Sequence, residues 1–163
     1  MPKKLLKSQE GGEEYAFRLL GIRDYSRHEM RQKLTGRGLG GGEAEEILKK
    51  LESRGLINDD RYARRLAVFY IREKLWGPQR VVHKLRQKGI AMDLVREVTD
   101  QAEENGSSRE RLQKVLSLKL KGQGLGEMLP REKRRLANYL RQRGFLWEDI
   151  MGALREAGGS TEE

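Results

Sequence analysis

The sequence predicts an all-α protein built as a tandem array of three three-helix repeats, and two observations carry that reading. Apolar residues recur with a helical period throughout, and strand-like alternation is nowhere sustained. A pair of apolar residues four apart, followed four later by a glycine, occurs three times: Met30, Leu34 and Gly38; Val81, Leu85 and Gly89; Leu136, Leu140 and Gly144. Gly38 to Gly89 is 51 residues and Gly89 to Gly144 is 55, and a period near fifty made of helices points to stacked units. Charged residues form 36 % of the chain, against roughly 25 % in an ordinary globular domain. So much charge needs a large surface for the volume enclosed, which makes the expected array elongated.

In the first repeat, over 13–55, Tyr15 to Leu20 opens, Ser26 to Arg37 follows and Glu43 to Glu52 closes. In the second, over 56–106, the helices are Asp59 to Leu75, Pro78 to Lys88 and Met92 to Glu103. In the third, over 107–157, they are Ser108 to Lys119, Pro130 to Arg143 and Leu146 to Arg155. Residues 1–12 and 158–163 read as flexible tails. Pro78 and Pro130 sit where a helix should begin, the one helical place that tolerates a missing N–H. The glycine after each middle helix suits a left-handed cap, where a Cβ would be strained, and Leu39, Ile90 or Phe145 follows it. Asn58-Asp59-Asp60 is a helix start: Asn58 or Asp59 can accept unpaired backbone N–H groups, and Ile57 can staple the first turn. A repeat of this size buries little alone, so neighbours should pack end to end.

The formal net charge is +9, and its placement says more than its sum. From Arg61 to Lys88 nine basic residues face one acid, Glu73, a balance of +8. The next stretch, Gly89 to Glu110, carries six acids and two bases. At about 100° per residue, Arg61, Arg65 and Arg72 share one helix side, and Tyr62, Leu66, Phe69 and Tyr70 gather opposite as the expected core face. Val68 and Leu75 interrupt the basic side and point to contact with a neighbouring unit or a partner protein. Arg80, Lys84 and Lys88 line the next helix, and Arg135 and Arg143, with Tyr139 between them, echo the pattern in the third repeat. Such stripes can neutralise phosphates, whereas a solvated face paired with the acidic helices is the plainer reading. No zinc spacing, heptad zipper or RNP-type aromatic motif supplies a base-reading code.

Little supports chemistry. With no cysteine there is no disulfide framework, thiolate metal site or thiol nucleophile. Gly36-Arg37-Gly38-Leu39-Gly40-Gly41 matches G-x-G-x-x-G by letter, but a helix precedes it where a dinucleotide site needs a strand. His28 and His83 stand among polar residues without a second ligand at metal spacing. No Walker A segment or nucleophile elbow occurs, so no enzyme, cofactor or metal is expected. The start lacks the apolar run of a signal peptide, and no stretch approaches the ~20 apolar residues of a membrane span, so a cytoplasmic protein is expected.

The same residues resemble a family. Leu19-Leu20 with Arg23, Ser26, Glu29, Met30 and Leu34 resembles the opening repeat of RecX, and Leu56-Ile57-Asn58-Asp59-Asp60-Arg61-Tyr62-Ala63 is similar to that family's most recognisable block. Gly77-Pro78-Gln79-Arg80-Val81 through Leu85, then Lys88-Gly89-Ile90, resemble the helix after it. Lys133 to Leu140, Arg143-Gly144-Phe145 and Ile150 extend the likeness, which covers Tyr15 to Leu154. It implies a curved array lying in the groove of a RecA–DNA filament. There it would limit extension or promote disassembly and lower ATP hydrolysis and strand exchange, a role in recombination, DNA repair and the SOS response. The implied partners are the RecA filament and, without sequence preference, single- and double-stranded DNA, with no membrane and a monomeric chain. Arg61, Arg65, Arg72, Arg80, Lys84, Lys88, Arg135 and Arg143 are the expected contact surface, and Asp59, Asp60, Tyr62, Gly77, Leu85 and Gly89 a structural signature. Charge alone would fit a free-standing, sequence-neutral DNA-binding protein.

Overall fold

The computed structural model describes residues 5, 6, 8–104 and 107–159, and among these all regular structure is helical, as the periodicity predicts. The helices are α1 (Gln9–Leu20), α2 (Arg27–Thr35), α3 (Gly41–Ser53), α4 (Asp59–Val68), α5 (Pro78–Gln87), α6 (Met92–Glu104), α7 (Ser108–Leu120), α8 (Pro130–Gln142) and α9 (Trp147–Gly159). A π-helical turn, Phe69–Glu73, continues α4, and a 3-10 turn, Leu125–Glu127, precedes α8. Serines start several of them: the side chains of Ser8, Ser26 and Ser107 accept from the N–H groups of Gly11, Glu29 and Glu110.

Helix α1 takes in residues that the sequence assigns to a tail. It begins at Gln9 because Ser8 caps it and because Gly12 is buried; a Cβ there would stand 2.7 Å from Ile47 Cδ1. Close packing against α3 outweighs the poor helix propensity of Gly11 and Gly12. At the other end α9 runs on to Gly159, since Ala153 and Ala157 keep its inner side against apolar neighbours. The rest of both expected tails lies outside the described residues, apart from Leu5, Leu6 and Ser8.

The chain divides into two compact units, one made of the residues up to Ala63 with Arg86–Leu94, the other of Arg64–Leu85 with the residues from Val95 onward. The division runs through α4, α5 and α6. In the first unit α1, α2 and α3 enclose Ala16, Met30, Leu34, Ile47, Leu48 and Leu51. In the second, α7, α8 and α9 enclose Leu112, Leu136, Leu140, Phe145 and Ile150. Each such leucine, isoleucine or phenylalanine contributes about 1.5–3 kcal/mol when fully buried.

Gly38, Gly89 and Gly144 have φ of +89°, +76° and +91°, the conformation their place after each middle helix predicts. Two of them also need their bare Cα for packing. A Cβ on Gly89 would overlap His28 of α2, and one on Gly144 would overlap the backbone of Arg80 in α5. Beside these approaches the Ser26 hydroxyl donates to the Lys88 carbonyl, and the Gly77 amide donates to the Arg143 carbonyl at 2.8 Å. The residue before each glycine therefore seats on the start of the preceding repeat's middle helix.

The single helix expected from Asp59 to Leu75 is interrupted. Lys74 N–H reaches back five residues to the Phe69 carbonyl at 3.2 Å, and Leu75 follows in the left-handed region at φ 51°. The wider turn shifts the inward side: Tyr62, Ala63, Ala67 and Ile71 are buried, Leu66 and Tyr70 half-buried, and Phe69, expected in the core, is 42 % exposed. Leu75 packs against the core of the second unit, which offsets its strain, while Val68 stays exposed. Tyr70 stacks on Trp76 with ring centroids 4.5 Å apart, and the Arg80 guanidinium lies 4.1 Å over Trp76.

Candidate functional site

The second unit holds six of the eight expected contact residues, and the structure gives them different work. Arg65 and Arg72 are exposed, on α4 and the π turn. Arg135 is exposed on α8 and Lys84 half-buried on α5. Arg80 and Arg143 are half-buried and bond to backbone carbonyls. Arg80 donates to the Gln142 carbonyl at 3.0 Å, and Arg143 donates to the Lys74 carbonyl and to the Tyr139 hydroxyl, the latter at 2.8 Å. Both therefore hold α5 and the π turn to the end of α8, whatever else they reach.

Arg72 opens onto a cleft of about 310 Å³ that Ile71, Leu75, Glu110, Arg111 and Lys114 help to line. Arg111 is buried, donating to Glu103 and, at 3.3 Å, to the Trp76 carbonyl. Sequence reading missed Arg111 and Lys114, because they follow the acidic stretch that ends at Glu110 and lie far from the basic run of Arg61 to Lys88. Their spacing of three, on one face of α7, was the available signal. With Arg111 paired to Glu103, Arg72 and Lys114 line the cleft beside Glu110, a small positive balance that suits an anionic group or an acidic side chain of a partner.

In the first unit Arg61 is exposed and donates to the Gly55 carbonyl at 2.9 Å. Lys88 is held by Glu29 at 2.7 Å. Glu29 also accepts from the Tyr62 hydroxyl at 2.8 Å, from Arg23 at 3.3 Å and from the Ser26 amide at 3.2 Å. Burial alone would raise its pKa, but the Lys88, Tyr62, Arg23 and Ser26 hydrogen bonds outweigh it and hold the carboxyl down at about 2. Burial, then the Glu29 carboxylate, pushes Tyr62 well above the ordinary phenol range.

The helix-start block divides its labour. Asn58 Oδ1 accepts from Arg61 N–H at 2.8 Å and so caps its own helix. Asp59 Oδ1 instead accepts from Arg27 N–H, the first residue of α2, at 2.8 Å; burial raises its pKa against that bond. Asp60 is exposed, Leu85 fully buried, and Gly77 and Gly89 stand at the two repeat junctions.

Acid should loosen the first unit through Glu29. Its folded pKa lies below the unfolded value of 4.5, so its contribution is complete above that pH and is lost as pH falls toward about 2. The expected loss is about 2–3 kcal/mol across that window. Urea midpoints measured at successive pH values should fall in the wild type and stay flatter in Glu29→Gln; parallel curves would contradict the assignment.

The G-x-G-x-x-G segment joins α2 to α3, helix to helix. His28 and His83 are exposed, and no three His, Asp or Glu residues gather for a metal among the described residues. No helix among them is long and apolar enough to cross a membrane.

Comparison with known proteins adds a family. Residues 14–51 match the model of the RecX first three-helix domain, and residues 58–98 that of the RecX second three-helix domain. The chain is 30 % identical over 146 residues to the regulatory protein RecX of Pelodictyon phaeoclathratiforme, covering 89 % of this chain and 88 % of that one. It is 29 % identical to the regulatory protein RecX of Halorhodospira halophila, over 95 % and 93 % of the two chains. The crystal structure of RecX from Lactobacillus salivarius superposes with a TM-score of 0.72 at 22 % identity, over 91 % of this chain and 96 % of that one. With the two domain models in order and relatives matched along most of their length, the chain belongs to the RecX family of regulatory proteins.

Proposed function

We propose that the chain restrains RecA by binding in the groove of the RecA–DNA filament, where it limits extension or promotes disassembly and lowers ATP hydrolysis and strand exchange. The observation that carries the reading is the exposed pair Arg65 and Arg72, on the same element whose Ala67 and Ile71 are buried. Guanidinium groups pair with phosphate and carboxylate in two-point geometry, so a groove presenting both DNA and protein suits them. Exposed Val68 and Phe69 stand beside them and offer apolar contact to the protein part of such a groove. DNA, single- or double-stranded, is held through its phosphates without base reading, and the chain acts as a monomer without chemistry of its own.

The test is RecA ATP hydrolysis on single-stranded DNA, titrated with this protein from far below the RecA concentration and repeated with excess DNA. Inhibition is expected to persist in excess DNA. Arg65→Glu with Arg72→Glu should raise the half-inhibitory concentration at least about tenfold, the effect of losing two charge-assisted contacts, with the far-ultraviolet dichroism unchanged. Inhibition that extra DNA relieves in full would instead identify a free-standing DNA-binding protein.

A further inference from the structure

The two repeat junctions share one contact, and the Arg37–Gly38 edge makes a third copy of it against Leu5 and Leu6. At the junctions the carbonyls of Lys88 and Arg143, each just before a positive-φ glycine, accept from Ser26 and Gly77, each just before the first residue of a middle helix. Arg37 stands just before Gly38 in the same way, and its carbonyl accepts from the Leu6 amide at 2.8 Å. A Cβ on Gly38 would stand 3.1 Å from Leu5 Cδ2, as Cβ atoms on the other two glycines would meet His28 and Arg80. Leu5 and Leu6 therefore occupy the seat that a preceding repeat would occupy. They fill it thinly. Leu5 is 64 % exposed, Ile22 is 76 % exposed, and a cavity of about 690 Å³ remains, lined in part by both leucines, Tyr15, Leu19, Ile22 and Arg37.

A helix start with the same proline or glutamate placement recurs at α8. Leu129 precedes Pro130 as Gly77 precedes Pro78, and it is 51 % exposed. Glu132 accepts from the Leu129 amide at 2.8 Å, the place in the helix from which Glu29 accepts from the Ser26 amide. Glu29 is also the carboxylate that receives Lys88, and Arg37 is the cation equivalent to Lys88.

We propose that Leu5 and Leu6 form a strap that keeps the Arg37–Gly38 edge from taking the start of α8 of a second copy of this chain. With the strap lifted, the exposed Leu129 packs at that edge and the Arg37 side chain meets Glu132, repeating the Lys88–Glu29 ion pair between molecules. The two surfaces differ, so the contact does not close on itself and growth continues past the dimer. Repeat arrays need blocked ends for this reason.

The test is sedimentation velocity of the full chain carrying Leu5→Asp and Leu6→Pro, which removes the apolar anchor and the donating amide. The wild type should hold the monomer mass at every concentration, while the variant's average mass should rise with concentration to more than twice that value. Adding Glu132→Arg should return it to the monomer. A variant that stays monomeric overturns the proposal, as does growth that Glu132→Arg leaves untouched. Loss of helical dichroism in the variant would make the two leucines part of the core and equally overturn a strap that lifts.

Discussion

Replacing Gly144 with alanine is expected to cost about 4 kcal/mol, in the range that few single substitutions reach. Two separate penalties meet there. At φ +91° an L side chain is strained, and the new Cβ would overlap the Arg80 backbone. Two other glycines separate the contributions. Gly122, at φ +87° with nothing within 4 Å of a Cβ, reports strain alone, and its alanine variant should lose about 1–2 kcal/mol. Gly77 does not have positive φ, yet a Cβ would overlap the backbone at Gly144, so its variant reports overlap alone. Urea unfolding followed by far-ultraviolet dichroism should rank Gly144→Ala as the most damaging. A Gly144 variant no worse than the Gly122 one would mean that the helix ends yield easily and that the junction is not close-packed.

The second large effect is at Glu29. Its side chain is 12 % exposed and Lys88's 29 %, so removing the carboxylate leaves an ammonium and a phenol hydroxyl partly buried without their acceptor. Glu29→Ala should therefore cost about 3 kcal/mol, the lower end for breaking a buried pair. Lys88→Ala should cost less, because Glu29 keeps Tyr62, Arg23 and the Ser26 amide. The double variant should lose less than the two single losses combined, since each single change already breaks the shared bond. Strict additivity in thermal or urea melts would show that the pair contributes nothing beyond its separate parts.

Much of the fold is local in origin and was legible for that reason. Helix periodicity, the Ser26 cap, Pro78 and Pro130 at helix starts, and the left-handed glycines all follow from neighbours within four residues. What escaped reading depends on contacts distant in sequence. Gly11 and Gly12 look like tail until Ile47 and Leu39 stand against Gly12. The run from Asp59 to Leu75 has an unbroken helical pattern, and only the pull of Leu75 into the second unit's core explains why it widens at Phe69. The candidate surface was legible as a charge count but not as individual roles. Arg80 and Arg143 look like Arg65 and Arg72 in sequence, yet the first two bond to backbone carbonyls that periodicity cannot place. Arg111 escaped because its bonds to Glu103 and to the Trp76 carbonyl leave no mark in a sum of charges.

The two junctions also differ in how mutation can reach them. At the first, the donor to Lys88 is the hydroxyl of Ser26, so one base change in the gene can delete it and leave the backbone untouched. At the second, the donor to Arg143 is the Gly77 main chain, which every residue but proline also possesses. Selection can thus retune the first joint in small steps through one side chain, toward looser or tighter coupling. The second offers only the near all-or-none choice of keeping glycine or forcing the backbones apart.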